Sequence, residues 1–381
     1  SRWRELEHQA LLQTCADGGS REQAAGYFLY ALEILTVAGL LASGRERRLG
    51  RVEERLEAML SWLSATAGAD GEPPPVGDDA EDRVLRDDYF APRRADALAA
   101  RARSVVEHTP SLASTTPPSA PARRSIVLPE SGYAVLRDPG AGTPIRVVFD
   151  IGELGYGRLA AHGHADALSV LLDVGTTPVL RDSGTGSYAG TEGRDLFRVT
   201  AAHNTVVVDG ACQADPLGPH LWGRRYRVTT EAQRLSRDSD YVRASHDGYA
   251  PTVHTRSVLR LEDGIVVVLD RIRSPADREA TLVWNIGAPP RIAVAAAPAA
   301  AADCGLVPYS RRYGSRETAA RLTWTARGRD VVFATVLSTA ADVVPVVLLD
   351  HSAARTCLRV TAPQRVTLVE DWRSGAPQVE R

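Results

Sequence analysis

The densest run of reactive side chains in the sequence is His162-Gly163-His164-Ala165-Asp166. An apolar run to Val174 follows, then the turn Gly175-Thr176-Thr177, then Pro178-Val179-Leu180-Arg181-Asp182-Ser183-Gly184. A further histidine, His203, precedes Asn204-Thr205-Val206-Val207-Val208. Residues two apart on an extended strand share a face, so His162, His164 and Asp166 can line one side of a sheet. The turn at Gly175 returns Asp182 beside them, and His203 can close the cluster. Two or three imidazoles plus one carboxylate form a plausible zinc set. The plain alternative is a polar strand end with solvated histidines. Asp182 after the turn and His203 before a β-branched run weigh against it.

Such a cluster needs a scaffold, and the chain reads as two kinds of structure. Leu6–Leu12 is a short amphipathic helix that stops near Asp17-Gly18-Gly19. Ser20 is expected to cap a long helix from Arg21 to Ala42, with Gln23 completing a capping box. That helix carries Tyr27, Leu29, Leu32, Ile34, Leu35, Ala38 and Leu41, apolar on most faces, as in a helix buried among others. Gly44 ends it. A helix over Glu46–Ala65 places Val52, Leu56, Met59, Leu60 and Leu63 on one stripe. A short helix over Ala95–Val106 completes a helical domain, 1–106. Residues 107–122, rich in Pro, Ser and Thr, read as a linker.

From 123 to 381 the pattern has period two. Predicted strands include Tyr133–Arg137, Ile145–Ile151, Leu168–Val174, Pro178–Asp182, Thr205–Val208 and His254–Leu261. Others are Ile265–Ile272, Thr281–Ile286, Arg321–Ala326 and Val331–Leu337, with Glu262-Asp263-Gly264 as a hairpin turn. Many short strands without intervening helices predict a large antiparallel β-sandwich, giving an α+β multidomain chain.

The 381 residues suffice for two domains with real cores. A hydrophobic fraction of 44%, with no uninterrupted apolar run of membrane length, predicts a soluble protein without a membrane span. A net charge of -2 provides no long-range field for nucleic acid or an anionic membrane. Every basic residue is Arg and none is Lys. A GC-rich coding sequence explains that bias, and many Arg also suit bidentate contacts to carboxylate or sulfate. Cys15, Cys212, Cys304 and Cys357 are scattered, without CxxC spacing, so they form no metal knuckle and demand no disulfides. The N-terminus shows no signal pattern and opens inside a predicted helix.

The motifs together resemble the heparinase II/III-like polysaccharide lyases, a superfamily that includes heparin and heparan-sulfate lyases and oligoalginate lyases. The resemblance rests on Asp17-Gly18-Gly19-Ser20-Arg21-Glu22-Gln23-Ala24-Ala25-Gly26-Tyr27, Pro75-Val76-Gly77-Asp78-Asp79, the His162–Asp166 and Arg181–Gly184 stretches, and Arg198-Val199-Thr200-Ala201-Ala202-His203-Asn204-Thr205. His246-Asp247-Gly248-Tyr249 is a weaker match. The resemblance implies an incomplete (α/α) toroid joined to an antiparallel β-sandwich, with 1–106 as the C-terminal part of the toroid. It implies that Tyr27 is the general acid, and often the base, and that His162 faces the substrate. It also implies that His164, Asp182 and His203 hold a structural zinc ion. Separating His162 from His164 in this way requires a bend or bulge at Gly163. Arg194, Arg198 and Asn204 are candidates for binding the sugar, with Tyr188 as a further cleft candidate. Asp78 and Asp79 are expected as capping or turn residues, with organising the cleft as a lesser role. The family's Asn-His pair before the tyrosine helix has no counterpart here, and His8 does not match it. The helical part is also short for a toroid. The chain is therefore expected either to be the C-terminal part of a longer protein or to carry a reduced toroid.

The function this implies is β-elimination on a uronic-acid-containing glycan. The proton at C5 is removed and the 4-linked oxygen expelled. That chemistry needs a group to neutralise the carboxylate, a base for the proton and an acid for the leaving oxygen. The zinc would support the histidine-bearing strand and take no part in the elimination. An anionic polysaccharide or oligosaccharide is the expected partner, and a periplasmic or secreted location follows from that substrate class alone. The alternative is a non-catalytic carbohydrate-binding or polysaccharide-assembly protein with the same zinc-stapled sandwich. A cupin-like oxygenase using His162, His164 and His203 would instead hold iron.

Overall fold

The computed structural model describes residues 2–79, 84, 94–108, 124–138, 143–188, 191–289, 291–339, 346–352, 354–362, 364–372 and 377–380. The chain opens with α1 (Arg2–Gln13), α2 (Ala25–Ser43), α3 (Gly50–Thr66) and α4 (Arg94–Val106). Then come β1 (Ile126–Leu128), β2 (Tyr133–Arg137), β3 (Ile145–Asp150), β4 (Val170–Val174), β5 (Thr177–Leu180), α5 (Thr191–Arg198) and β6 (Val206–Val208). A small hairpin, β7 (Pro216–Gly218) and β8 (Leu221–Trp222), leads to β9 (Val228–Leu235), β10 (Ser239–His246), β11 (Val253–Leu261) and β12 (Ile265–Ile286). The remainder is β13 (Arg291–Ala297), β14 (Ala301–Tyr309), β15 (Glu317–Ser338), β16 (Val346–His351), β17 (Arg355–Ala362), β18 (Gln364–Asp371) and β19 (Gln378–Glu380). Apart from Glu107 and His108, the expected linker lies outside the described residues.

A single antiparallel network of 13 strands forms most of the molecule, in the order β1-β2-β3-β4-β5-β12-β11-β10-β9, with β6 and β15 on β12, and β13 and β14 on β15. Its spine is the pair β12 and β15, each 22 residues long. The sequence reading divided each into two strands. The division marks a real irregularity, because the ladder shifts register between Arg273 and Arg278. Pro275 lies within that gap and cannot donate to a ladder. Before the shift β12 pairs with β11, and after it with β6 and β5. The sheet thereby folds over, and its two halves face each other across one apolar core.

Strand residues alternate between that core and a second layer, as the two-residue period requires. Ala134, Val147, Val170 and Leu172 enter the central core, while Tyr133, Val148 and Leu171 pack against the helices. On the other half, Val258, Val266 and Leu337 point inward. Leu259, Val267 and Val336 meet an outer sheet, β16–β19, through Leu358, Val360 and Leu368.

By length and composition α2 could cross a membrane. Here it buries Phe28, Leu29, Leu32 and Leu35 in the helical core with Leu56, Met59 and Trp62 of α3 and Leu98 and Val105 of α4. The expected capping box does not form. Helix α2 starts at Ala25, and Ala24 makes no side-chain cap. Ser20 accepts instead from the Glu22 N–H, and Gln23, with φ 54°, donates its side-chain amide to the Ser131 carbonyl. Tertiary docking overrides the local signal here, since Asp17 also accepts from the backbone N–H groups of Glu130 and Ser131.

One buried ion pair ties the sheet to the loops above it. Arg256 on β11 grips Asp270 on β12 through Nε at 2.6 Å and Nη2 at 3.0 Å. Its Nη1 donates to the carbonyls of Leu168 at 2.7 Å and Asn204 at 2.6 Å. Leu168 has φ 62°, a left-handed conformation that is costly for such a residue. The Arg256 bond holds it there. Asp270 also accepts from His254, whose other ring nitrogen meets His246.

Arg256→Met should destabilise the fold by about 3–5 kcal/mol, because Asp270 would be left buried with its charge uncompensated. Urea unfolding measures this, and adding Asp270→Leu should recover part of the loss. Burial, then His254 and Arg256, holds His246 well below its ordinary pKa of 6.5. Burial likewise lowers His254, despite Asp270. The unfolded chain therefore takes up these protons first. Stability should fall as pH drops below about 6.5, and His246→Gln should flatten that slope in acid titrations of unfolding free energy.

Candidate active site and metal centre

The His162–Asp166 stretch is not a strand. It lies in the irregular segment before β4, which begins only at Val170. At Gly163 the backbone passes close to another segment, since a Cβ there would fall 1.5 Å from the Leu154 carbonyl oxygen. The two histidines are organised instead by a residue from the helical part. Asp78 is fully buried, and its Oδ2 lies 3.2 Å from His162 Nδ1 and its Oδ1 3.0 Å from His164 Nε2. Arg194 closes the pair from the other side, donating Nη1 to Oδ1 at 2.8 Å and Nη2 to Oδ2 at 2.6 Å. Gly77 makes the approach possible. At φ 59°, its missing Cβ would lie 2.1 Å from the Gln23 carbonyl oxygen and 2.9 Å from that of His162.

Burial works against charge on Asp78, but hydrogen bonds from His162, His164 and Arg194 hold its carboxyl well below the usual range. An ionised carboxylate only accepts, so it fixes both tautomers. His162 keeps its proton on Nδ1 and presents Nε2. His164 keeps its proton on Nε2 and presents Nδ1.

His164 belongs to a buried group with Asp182 and His203, whose candidate donor atoms lie within 4.8 Å of one another. Asp182 follows the β4–β5 hairpin, and His203 follows a short 3₁₀ turn at Thr200–Ala202. Asp182 Oδ2 lies 2.7 Å from His203 Nδ1, and its Oδ1 accepts from the Gly184 N–H at 2.9 Å. That arrangement leaves His203 Nε2 open. His164 Nδ1 and His203 Nε2 are buried and have no hydrogen-bond partner. Two unpaired imidazole nitrogens beside the buried Asp182 carboxylate fit a metal ion, with Asp78 orienting the His164 ring from behind. A small cavity lined by Asp150, Asp166, Ser169 and Asp182 adjoins this group. Burial, then repulsion from Asp166, raises Asp150. Burial also raises Asp166, against the pull of His203 and His164.

On the cleft side, Tyr27 from the first turn of α2 is half-buried, and its ring lies flat on His162, with centroids 3.6 Å apart at 21°. Tyr188 donates to the Asp79 carbonyl at 2.8 Å and also hydrogen-bonds Tyr27. Burial, then the charge of Asp78, raises the Tyr188 hydroxyl strongly. His220 completes the rim with its ring 6.0 Å from that of His162. It stands in the β7–β8 turn, held by the Trp222 indole donating to the Gly163 carbonyl at 3.1 Å. Partial burial, then Arg194, lowers its pKa. Asp78, His162 and His220 form a second group whose donor atoms lie within 4.8 Å of one another.

Arg194, Arg198 and Asn204, the candidates for sugar binding, are all fully buried. Arg194 is spent on Asp78 and the Pro219 carbonyl. Arg198 pairs with Asp195 at 2.7 Å and lies over the Trp222 ring. Asn204 donates to the carbonyls of Val170 and Arg181 and accepts from the Asn285 N–H. The sequence reading gave Asp78 a minor role and missed His220. The acidic Val76-Gly77-Asp78-Asp79 loop was the available signal for Asp78. His220 lies in no motif.

The chain matches the family model "Heparinase II/III-like, C-terminal" over residues 120–376, and it belongs to that family. Its fold is similar to "Heparinase III-BT4657 gene product", with TM-score 0.77 at 16% identity over 97% of this chain and 61% of that one. It is also similar to the heparan sulfate lyase HepC from Pedobacter heparinus, with TM-score 0.73 at 17% identity over 97% and 62%. A further heparinase III gives TM-score 0.75 at 13% identity over 97% and 62%. The chain thus spans about three-fifths of the length of these structures. No curated protein matches it in sequence.

His203→Ala and Asp182→Asn should each lower the metal content of purified protein, read by elemental analysis, and should lower the melting temperature. A chelator should produce the same melting shift in the unmutated protein and none in His203→Ala.

Proposed function

We propose that this protein is a polysaccharide lyase that cleaves a uronic-acid-containing glycan by β-elimination. In this reading α1–α4, within 1–106, are the C-terminal part of an (α/α) toroid, and 123–381 is the β-domain. The reaction takes place where the two meet. The observation that carries the reading is the Tyr27 ring stacked at 3.6 Å on His162, whose Nε2 is turned free by Asp78.

The chemistry follows from those positions. His162 Nε2, unprotonated, accepts the C5 proton or binds the sugar beside it. The Tyr27 hydroxyl delivers a proton to the leaving 4-linked oxygen, or as phenolate takes the C5 proton first. His220, held neutral, donates a hydrogen bond to the substrate carboxylate and so stabilises the carbanion-like transition state. His164, Asp182 and His203 would hold zinc, and the ion would supply structural support to the loop that directs His162. Soft-metal thiolate sets are absent among these residues, and the imidazole–carboxylate donors suit zinc. An anionic glycan substrate accords with a periplasmic or secreted location.

The full-length protein, mixed in turn with alginate, heparan sulfate, hyaluronan and polyglucuronate, should raise ultraviolet absorbance from the unsaturated product on at least one. Tyr27→Phe and His162→Ala should each cut that rate by about 100-fold or more while glycan binding persists. Binding without any absorbance rise on all four polymers would instead mark a non-catalytic carbohydrate-binding protein.

A further inference from the structure

The buried arginines leave an anionic substrate without an obvious cationic partner at the cleft, yet one exposed turn carries several. Residues 310–316, between β14 and β15, read Ser-Arg-Arg-Tyr-Gly-Ser-Arg. Arg311, Arg312 and Arg316 are exposed, and none forms an ion pair among the described residues. The neighbouring Glu317 is the one carboxylate in the stretch 310–317. Unpaired like charges on one tight turn repel each other and do nothing for stability. A polyanion laid along the turn would relieve that repulsion.

The turn is also built to hold a shape. The Ser315 N–H donates to the Arg312 carbonyl at 2.9 Å, and the Arg312 N–H to Ser315 Oγ at 3.1 Å. Ser310 Oγ donates to the Arg312 carbonyl at 2.6 Å. The whole turn is fastened to the segment after Asp182. The Ser310 N–H donates to the Ser183 carbonyl at 2.9 Å, and the Gly314 N–H to the Gly186 carbonyl at 2.6 Å. Gly184, at φ 84°, permits that approach, since a Cβ there would lie 1.8 Å from the Ser310 carbonyl oxygen.

An aromatic path joins this turn to the proposed reaction centre. The Tyr313 ring lies 4.9 Å from that of Tyr188, Tyr188 lies 5.4 Å from His220, and His220 lies 6.0 Å from His162. Tyr313 is itself 36% exposed. The exposed Tyr313 ring, first in this tilted series, offers an apolar face to a sugar ring, and guanidinium groups beside it pair with carboxylate or sulfate.

From this juxtaposition we infer a second glycan-binding site on the 310–316 turn. Tyr313 supports a sugar ring remote from the cleaved linkage, and Arg311, Arg312 and Arg316 pair with the charged groups of that unit. The inference rests on the lyase reading for the direction of the chain along the cleft, but its test does not need turnover.

Titration calorimetry on full-length Tyr27→Phe protein provides the test, using hexasaccharides of heparan sulfate and of alginate, a neutral chitin hexasaccharide, and the matching charged disaccharides. At least one charged hexasaccharide should bind better than the neutral one, and which arm binds tells sulfate from carboxylate. Replacing Arg311, Arg312 and Arg316 together with Ala should weaken that hexasaccharide about tenfold. It should also make binding less salt-dependent and leave the disaccharide unchanged. Tyr313→Ala should weaken the hexasaccharide alone, with the melting temperature preserved in both variants. Equal hexasaccharide affinity in parent and variants, or no charged preference in the parent, would overturn the site. Charged binding that responds to these variants, together with no ultraviolet rise from the Tyr27 parent on any of the four polymers, would uphold the site while removing the lyase assignment.

Discussion

Asp78 is a buried carboxylate on which two different surfaces depend. Taking such a charge out of water costs several kcal/mol unless geometry and hydrogen bonds restore the loss. Here the paired donors of Arg194 and the ring N–H groups of His162 and His164 supply that compensation. The arrangement joins a loop after α3, a segment before β4 and helix α5 at one point. Backbone bonds join the same segments, with the Asp78 N–H donating to the His162 carbonyl at 2.9 Å and the Ala165 N–H to the Arg198 carbonyl at 2.8 Å. Removing any donor would leave the charge short of compensation, so the parts stand or fall together.

The sheet contributes rigidity and sets where those segments end. Folding at the β12–β15 irregularity buries both faces of the strands, which anchors β4, β5 and β6 on either side of the metal group. Arg256 then reaches through the core to the carbonyls of Leu168 and Asn204, one beside each histidine-bearing segment. The left-handed Leu168 turns the chain from the loop into β4. Function-bearing loops often carry such strain where a rigid scaffold can hold it.

What was legible in the sequence divides along the same line. Period-two patterning located most strands, and the separated residues His164, Asp182 and His203 do converge, because hairpin closure at Gly175 and the β6 start are local signals. The strand assignment for His162–Asp166 failed. Alternation in five residues cannot be told from a loop whose shape is set by Gly163 against Leu154 and by Asp78. Arginines looked like ligands by type alone, yet Arg194 and Arg198 sit inside, where Asp78, Asp195 and Trp222 take up their charge. Burial of a charged side chain depends on partners distant in sequence, and no local pattern records them. The capping box at Ser20 failed for a related reason, since docking onto Ser131 offered Gln23 a better partner than the helix did.

The two histidines two residues apart have opposite tasks, and one carboxylate assigns both. With each oxygen of Asp78 accepting from a different ring, His162 must leave Nε2 open at the ring edge under Tyr27, while His164 must leave Nδ1 open beside His203. An asparagine at this position would accept through one oxygen only and present an N–H to the other ring. One imidazole would then have to reverse its tautomer, and Arg194 would lose half of its bidentate partner. The Tyr27–His162 pair and the candidate metal group are therefore coupled through proton placement as well as through packing. That coupling accounts for a buried charge where an uncharged residue of similar size would cost less to bury.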